Sequence, residues 1–452
     1  MNPALPSNSA GPAAERAESA AAESWAVLGA GAIGLSVARR LAEAGRAVTV
    51  YEKDDFVGGQ AGSFEIEPGV WLERFYHHAF KSDRVLQRTY ADLGLAGMSW
   101  HRPVTATLVE GGVWQLDSPA SVLRFRHLSV PDRLRMGMTL AALRTMPGTG
   151  PLEGKAAGPW LRRWMGRAAY ERVWRPLLEG KFGADGGEVA LPWFWARVHD
   201  RSSVLGYPTG GFRALYETLA ERIRASGGVI RLSTPVDSVE RTATGYLVHA
   251  RDAAGQSFTA RHAAVISTLP PRLTAQLASD LPSDWRSQFA PVPGRTAFCV
   301  ILSLDRPLTG CYWLNVNDPG YPFLVVVEHT NMRSPTEYGG RHLIYLGGYR
   351  DAADPILDLD TGQLVDAFLP HLARINPAID KAWITGSWSF KVPDAQPIVG
   401  TDFRDRIPPF ETPLPGLFTA TIAQVYPHDR GQNRAIELGE RLASQLLRPT
   451  DR

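Results

Sequence analysis

A glycine-rich turn near the start of the chain most strongly limits how it can fold. Residues 25–55 read WAVLGAGAIGLSVARRLAEAGRAVTVYEKDD. The four apolar residues 25–28 are typical of a buried strand, and apolar residues then repeat at helical spacing as far as Gly45. The run AVTVYE indicates a second strand that ends at Glu52. The pattern therefore predicts a strand–turn–helix–strand unit.

The glycines of this turn stand at the spacing that a bound pyrophosphate requires. Gly29 permits a tight turn, Gly31 lets the backbone approach a phosphate closely, and Gly34 lets the helix pack against the strand. Ile33 lies in the same turn, at the start of the helix, where unpaired N–H groups and the helix dipole favour an anion. The spacing predicts a dinucleotide site rather than an ordinary tight turn.

The acid at the end of the second strand narrows the choice of nucleotide. Glu52 follows Gly34 by eighteen residues, which is the distance expected for a carboxylate that accepts hydrogen bonds from a ribose diol. A carboxylate there disfavours a 2′-phosphate. The sequence therefore favours FAD or NAD over NADP.

A second glycine pair follows in the stretch DDFVGGQAGSFE. The two motifs together resemble the flavoprotein superfamily of amine oxidases, protoporphyrinogen oxidases and phytoene desaturases, which implies that Gly58, Gly59 and Gln60 lie beside FAD. The superfamily usually carries an arginine two residues before this pair and often one just after it. Here Phe56 and Gln60 stand at those positions, so the resemblance implies that another residue supplies the cation.

Two later segments extend the resemblance. Residues 206–240 indicate a helix, a glycine turn and a strand, and the resemblance implies that the backbone of Val236 contacts the adenine. Residues 416–447 indicate a strand, a polar turn and a helix, which in the superfamily bring backbone N–H groups to the flavin. The candidates there are Asp429, Arg430, Gly431 and Asn433, and Arg430 is also a candidate for the cation absent at position 56.

This order of segments implies an α/β fold. We expect a Rossmann-like FAD-binding domain that the chain threads three times, over residues 25–100, 206–274 and 395–452, together with a helical insertion over 101–205. Alternating apolar residues predict an antiparallel, substrate-binding sheet domain over 275–394. Residues 1–24 are rich in Ala, Ser, Pro and Glu and are expected to form a disordered leader.

The insertions supply the candidates for substrate contact. Trp174 and Arg197 are candidates to line a cleft, although aromatic residues at this density also suit a core. Glu328, His329 and Asn331 end an apolar strand, which suits either substrate contact or a strand that reaches solvent. The helical insertion is basic and amphipathic, which is equally typical of a peripheral membrane contact, a lid over an anionic substrate or a solvated helical face.

No catalytic residue follows clearly from the sequence. His77 and His78 loosely resemble a histidine-bearing segment of the UDP-galactopyranose mutases, and Lys391 resembles a late lysine of the amine oxidases. A structural role is also compatible with all three residues. No metal site is predicted.

Composition limits the remaining possibilities. A formal charge of +2 gives no indication of a nucleic-acid partner, and two cysteines without metal spacing favour a reducing, cytoplasmic setting. The main hypothesis is a FAD-dependent oxidoreductase that removes hydride from a hydrophobic or anionic small molecule. The alternatives are a non-redox flavin mutase acting on a nucleotide sugar and a FAD-bearing binding protein without turnover. The sequence carries no indication of an oligomeric state.

Overall fold

The structure, a computed structural model, describes residues 24–448. The predicted leader falls outside this range except for Ser24, whose hydroxyl lies 2.8 Å from Nδ1 of His262. The strands, in chain order, are β1 Trp25–Leu28, β2 Val48–Tyr51, β3 Ser63–Glu67, β4 Val70–Glu73, β5 Ala79–Phe80, β6 Met98–His101, β7 Thr105–Val109, β8 Gly112–Gln115, β9 Leu205–Pro208, β10 Val229–Arg231, β11 Val236–Thr242, β12 Gly245–Arg251, β13 Ser257–His262, β14 Ala264–Ser267, β15 Gly294–Leu304, β16 Trp313–Val316, β17 Val325–Glu328, β18 His342–Arg350, β19 Ile384–Pro397 and β20 Leu417–Thr419.

The helices lie between these strands, with short 3₁₀ turns elsewhere. They are α1 Ala32–Glu43, α2 Arg84–Asp92, α3 Pro119–Arg124, α4 Val130–Thr145, α5 Ala157–Met165, α6 Arg167–Ala169, α7 Arg175–Phe182, α8 Leu191–His199, α9 Arg213–Ala225, α10 Pro271–Leu277, α11 Ser283–Phe289, α12 Thr361–Ile375 and α13 Gln432–Leu446. A π-helical turn, Tyr170–Trp174, joins α6 to α7.

A parallel sheet carries the glycine-rich turn. Its strand order is β10-β2-β1-β14-β20, and every pair of neighbours runs parallel. The sheet takes its strands from three separate stretches of the chain, and the order reverses beside β1. Ligands of such sheets bind at the carboxyl ends of the strands near that reversal. The turn that follows β1 lies at this position.

Helices α1, α9 and α13 share the hydrophobic core of this sheet through buried side chains such as Leu41, Leu219 and Leu442. Gly439 explains how closely α13 approaches α1, since a Cβ there would come within 2.6 Å of the carbonyl oxygen of Ile33. Glycine at this position therefore allows the two helices to pack in close contact.

A seven-stranded sheet forms the second layer, in the order β19-β15-β18-β17-β16-β7-β8. Its neighbours pair antiparallel except β16 and β7, which run parallel. Strands β7 and β8 belong to the stretch expected to be helical, so the sheet is mixed and recruits residues from both expected insertions. The division into domains stays a prediction.

The two faces of this sheet have different partners because side chains alternate along each strand. Val300 and Leu302 pack with Phe368 of α12, in a core on one face. Cys299 and Ile301 point to the other face and join the core that contains the glycine-rich turn. That second face also carries the aromatic side chains of the candidate site.

Candidate active site

The first glycine turn has the geometry that its spacing predicts. Gly29 adopts a φ of +102°, which L side chains rarely adopt. A Cβ on Gly34 would overlap the carbonyl oxygen of Gly29, so only glycine lets the helix start so close to the strand. A Cβ on Gly31, in contrast, would meet no atom within 4 Å. Gly31 therefore faces open space, and Ile33 lies beside it in the first turn of α1.

The second glycine pair packs directly on the first turn. The N–H of Gly58 donates to the carbonyl of Ala30 at 2.9 Å, and a Cβ on Gly59 would lie 3.2 Å from Cα of Gly31. Gly58 and Gly59 have φ values of +105° and +55°, a conformation that favours glycine. The two turns therefore enclose the open space beside Gly31 from two sides.

Glu52 is held at the end of β2 by backbone donors. Its carboxylate accepts hydrogen bonds from the N–H of Ala30 at 2.8 Å and of Asp54 at 3.0 Å. Burial raises the pKa of this carboxyl above its usual value, although both backbone bonds oppose the rise. The N–H of Thr234 donates to the Glu52 carbonyl at 2.7 Å, which brings the start of β11 at Val236 to the same end of the site.

Two helix N-termini border the site without a side-chain cap. Gly31 is the N-cap of α1 and Gly431 is the N-cap of α13, and in the described residues no side chain hydrogen-bonds to either end as a cap. Asn433 instead accepts from the N–H of Leu86 at 3.0 Å, and thereby supports the first turn of α2. Two sets of N–H groups thus stay available to an anion.

A cluster of cations lies beside the start of α13; we call Lys181, Arg197, Arg201, Arg430 and Asp429 the cationic cluster. Lys181 Nζ donates to both oxygens of Asp429, at 2.8 and 3.0 Å. Arg197 and Arg201 reach Oδ2 at 3.3 and 3.4 Å. Burial would raise the pKa of the Asp429 carboxyl, but these three cations hold it well below its usual range.

Arg430 links the cluster to the second glycine turn and to the sheet. Its guanidinium donates to Gln60, to Oε1 of Gln396 at 3.1 Å and to the hydroxyl of Tyr349 at 2.9 Å. Burial alone would raise the pKa of the Tyr349 phenol, but Arg430 and Lys181 bring it below its usual value of 10. Tyr349 also lines a cleft of about 400 Å³ between α7 and the seven-stranded sheet.

Comparison with known proteins decides which dinucleotide this geometry serves. The sequence profile described as "Flavin containing amine oxidoreductase" matches residues 34–447. The chain belongs to this family. Its cofactor is therefore FAD, and the prediction of a FAD-dependent oxidoreductase is confirmed at the level of the family.

Several solved structures share this fold. A protein assigned as a protoporphyrinogen oxidase from Exiguobacterium sp. 255-15 is 18% identical with a TM-score of 0.73, over 94% of this chain and 98% of that one. A reduced UDP-galactopyranose mutase is 15% identical with a TM-score of 0.72, over 94% and 95% of the two chains. Cyclohexylamine oxidase from Brevibacterium oxydans IH-35A is 17% identical with a TM-score of 0.68, over 94% and 98%. At these identities the likeness shows the fold alone.

A curated relative matches only a short stretch. The 15-cis-phytoene desaturase of Synechococcus elongatus is 36% identical over 70 residues. That stretch is 16% of this chain and 15% of the desaturase. The activity and substrate of this family member are therefore proposals and not consequences of the match.

The residues present fit FAD. Of the three glycines in the first turn, only Gly31 could carry a Cβ that meets no protein atom within 4 Å. Gly31 is also the N-cap of α1, whose N-terminus has no side-chain cap. Gly31 and Gly431 would bring backbone N–H groups to the phosphates, and the carboxylate of Glu52 would accept from the ribose. This donor set suits a dinucleotide without a 2′-phosphate.

Arg74 is a candidate that the sequence did not reveal. Its guanidinium lies 3.8 Å from the centre of the Phe56 ring and 5.3 Å from that of Phe390. Nε of Arg74 is buried and has no hydrogen-bond partner among the described residues. The charge of Arg74 therefore lies next to Phe56, the position at which the family usually has an arginine. Arg74 follows Phe56 by 18 residues in the sequence, so a local motif does not include it.

The three candidate catalytic residues lie in different surroundings. Nδ1 of His77 lies 2.7 Å from the carbonyl of Phe75, and Nδ1 of His78 lies 3.0 Å from the hydroxyl of Tyr312. Burial lowers the pKa of His77 to about 4 and that of His78 to about 3, so both rings are neutral at pH 7. Lys391 is exposed and donates to the carbonyl of Leu357 at 2.6 Å. Their catalytic roles stay predictions.

The other predicted substrate residues are engaged within the protein, and of these only Arg197 belongs to the cationic cluster. Glu328 accepts from the N–H groups of Leu308 and Thr309, at 3.0 and 2.7 Å, and Asn331 donates to two backbone carbonyls. His329 lies 2.7 Å from the hydroxyl of Tyr338, and the Trp174 ring packs edge-to-face on Phe194. These contacts give substrate binding by those four residues no support.

Proposed function

We propose that this family member oxidises a C–C, C–N or C–O single bond of a hydrophobic or anionic small molecule, by removing a hydride from carbon and a proton from the neighbouring atom. One observation carries the proposal: Arg430 touches the glycine turn through Gln60, and touches the cleft through Tyr349. Two hydrogen bonds of Arg430 therefore connect the wall of the cleft to the cofactor loop. When bound, FAD supplies the hydride acceptor.

The face of the seven-stranded sheet that meets the cofactor loop would orient the substrate. Tyr76 lies over Gly347, and its ring packs edge-to-face on Trp313, with 5.1 Å between the ring centres. The Tyr345 hydroxyl donates to the Glu73 carbonyl at 3.0 Å, which fixes that ring. Rigid aromatic walls exclude water and hold a flat or apolar group in one orientation.

Tyr349 is our candidate for holding a proton during the reaction. Its hydroxyl bonds to Arg430, its ring lines the cleft, and the two adjacent cations lower its pKa. The phenolate form of this side chain can accept a proton from a substrate hydroxyl or amine, and the lowered pKa makes that form available at a lower pH than in an ordinary tyrosine. Since His77 and His78 are neutral and hold their protons weakly, the phenol is the better candidate.

We also propose that Arg74 supplies the cation that Phe56 cannot. The supporting contacts are its stacking on Phe56 and its unpartnered, buried Nε. Arg430 is the alternative, but three side chains already accept its hydrogen bonds. The FAD affinities of the two variants distinguish them.

The test of the proposed function begins with the visible spectrum of the purified protein and heat release of its chromophore. FAD should be released, and an anaerobic panel of amines, alcohols, organic acids and apolar alkenes should contain a compound that bleaches the flavin. Reduction by dithionite but by no compound of the panel would count against hydride removal. A flavin that neither dithionite nor oxygen reaches would indicate a FAD-bearing binding protein.

A second candidate function is a flavin-dependent mutase acting on a nucleotide sugar. The cationic cluster favours it, since a diphosphate matches several arginines. Sugar nucleotides would then protect the protein against heat, and isomerisation would require reduced flavin without net electron transfer. Bleaching of the flavin by the sugar nucleotide itself would exclude this candidate.

We further propose that the helical insertion docks on an anionic lipid surface. Among the described residues, seven of the eight exposed large hydrophobic side chains lie on this insertion, and five of those seven lie on its helices: Leu123, Val130, Leu134, Met138 and Trp164, at 49–64% exposure. Exposed arginines 124, 126, 135, 162, 163 and 167 lie on or beside the same helices. Exposed apolar side chains together with exposed cations match an anionic membrane in both hydrophobicity and charge.

Vesicle sedimentation tests this docking. The protein should sediment with vesicles of phosphatidylcholine and phosphatidylserine, and less with phosphatidylcholine alone. The double variant Met138→Ser, Trp164→Ser should stay in the supernatant, whereas Val229→Ser, which removes an exposed apolar residue of the parallel sheet, should sediment like the wild type. Equal sedimentation of all three proteins would refute the assignment. No helix among residues 24–448 is long and apolar enough to span a membrane.

A further inference from the structure

The charges of the cationic cluster are unequal. Four cations surround the single carboxylate of Asp429. The nearby acid Asp200 does not correct the imbalance, because it pairs with His428 at 2.6 Å and with Arg434 at 3.5 Å. Excess positive charge in a half-buried site is costly unless an anion joins it.

The two arginines also keep most of their donors unused. A guanidinium offers five N–H donors in a planar fork. In the described part of the chain, Arg197 and Arg201 each make one side-chain hydrogen bond, to the same oxygen of Asp429 and at more than 3.2 Å. Bidentate pairing with an oxyanion is the contact that such groups form most strongly, and neither makes it here.

The cluster is partly exposed and lies near a residue that lines the cleft. The side chains of Arg197 and Arg201 are 19% and 37% exposed. Lys181 Nζ lies 5.9 Å from the ring centre of Tyr349, which lines the cleft, and Asp429 stands two residues before the N-cap of α13. A small anion can therefore reach the cluster, which lies beside one wall of the cleft.

We propose that Lys181, Arg197 and Arg201 form a subsite for a phosphate or diphosphate group of the substrate. The inference rests on the proposed function and deepens it by naming the anionic group. A singly charged carboxylate would leave cations unpaired, whereas a phosphate carries about two charges and three acceptor oxygens. Trp193 forms one wall of the subsite, since its Nε1–H donates to Asp429 at 3.3 Å.

The pKa values of the cluster agree with an affinity for an anion. Burial lowers the pKa of the Lys181 ammonium, and Asp429 restores only part of it. Burial and the neighbouring Arg197 lower the pKa of Arg201 to about 10. A dianion among these groups would reverse both shifts, because it favours the charged form of each cation.

The test uses the FAD-loaded protein, with inorganic pyrophosphate and acetate as probes in isothermal titration calorimetry. Pyrophosphate should bind at one site, with a Kd lower than that of acetate by about tenfold or more. Arg197→Gln and Arg201→Gln should each weaken pyrophosphate by about tenfold, because each removes a fork of donors. Arg201→Lys should restore part of the loss. Arg224→Gln, an exposed arginine of α9, should bind like the wild type.

The FAD absorbance of the same samples separates the two hypotheses. Protein that holds FAD but binds pyrophosphate equally well in the wild type, Arg197→Gln and Arg201→Gln would overturn the subsite and leave the proposed function intact. Tighter binding of acetate than of pyrophosphate would overturn the phosphate assignment. Protein that binds no FAD would instead refute the proposed function.

Discussion

The nucleotide end and the substrate end of the site are held together by different kinds of contact. At the nucleotide end the contacts come from backbone groups and glycines: Gly31 faces open space, and Ala30 bonds to Glu52 across 22 residues of sequence. At the substrate end the contacts come from charged side chains. Lys181 donates a hydrogen bond to Asp429, which lies 248 residues further along the chain, so the two residues do not belong to one local motif.

This difference teaches which changes each end tolerates. At the nucleotide end, close packing fixes the backbone, so adding atoms there should disrupt the fold and FAD binding. At the substrate end, ion pairs fix the charged side chains, so removing the charge of one partner should destabilise the others.

Gly34→Ala should give the largest effect. The new methyl group would overlap the carbonyl oxygen of Gly29, which the strand fixes, so we expect a loss of about 4 kcal/mol in the free energy of unfolding and no bound FAD. Gly137→Ala in α4 is the matched control, since a Cβ there meets nothing within 4 Å and alanine favours a helix. Denaturant unfolding and FAD absorbance measure both; a Gly34→Ala protein as stable as the control would break the contrast.

Asp429→Asn should destabilise the substrate end by about 3 kcal/mol, because Lys181 and Arg197 lose their buried partner. The control, Asp402→Asn, breaks an exposed pair with Arg406 and should cost about 0.5 kcal/mol or less. Urea unfolding measures the two losses. Equal losses would show that the cluster does not depend on charge compensation.

The same variant has a predicted pH dependence. The folded pKa of Asp429 lies below its unfolded value, so its contribution is complete above the unfolded pKa of about 3.9 and is lost as the pH falls through the folded value. The stability difference between the wild type and Asp429→Asn should therefore stay constant from pH 7 to about pH 5, and shrink only in stronger acid. A difference that shrinks near neutral pH would contradict the depressed pKa.

Arg74→Gln should weaken FAD binding by roughly tenfold, since it removes a cation while leaving the glycine turns intact. Fluorescence titration of the apoprotein with FAD gives the affinity, and Arg224→Gln is the control for loss of an exposed charge. An unchanged affinity in Arg74→Gln together with a loss in Arg430→Gln would transfer the role to Arg430.

Tyr349→Phe should have the smallest effect at neutral pH and the most specific one. Since the phenol pKa lies below 10, the rate of flavin reduction in the wild type should rise with pH towards that value. The phenylalanine variant should lose this rise while keeping its FAD content. A parallel pH profile in both proteins would assign the proton transfer to another group.

The same contrast explains what could be predicted from the sequence. The β1–α1–β2 unit, the second glycine pair and Glu52 follow from spacing alone, because their contacts are local and depend on residue type. Two other features depend on contacts between distant segments and could not be predicted in this way. Strands β7 and β8 join the seven-stranded sheet through the pairing of β7 with β16, and Arg74 stacks on Phe56. Lys181 and Arg201 belong to a basic region in which no local pattern distinguishes them from solvent-facing arginines.

The most direct test of the account is the apoprotein stability and FAD affinity of Gly31→Ala. Gly31 has an ordinary φ of −78°, and the added methyl group would meet no protein atom within 4 Å, so the fold should lose about 0.5 kcal/mol at most. The methyl group would occupy the space assigned to the pyrophosphate, so FAD affinity should fall about tenfold or more. A variant that keeps wild-type stability and loses FAD would support the account. A variant that binds FAD as tightly as the wild type would contradict it.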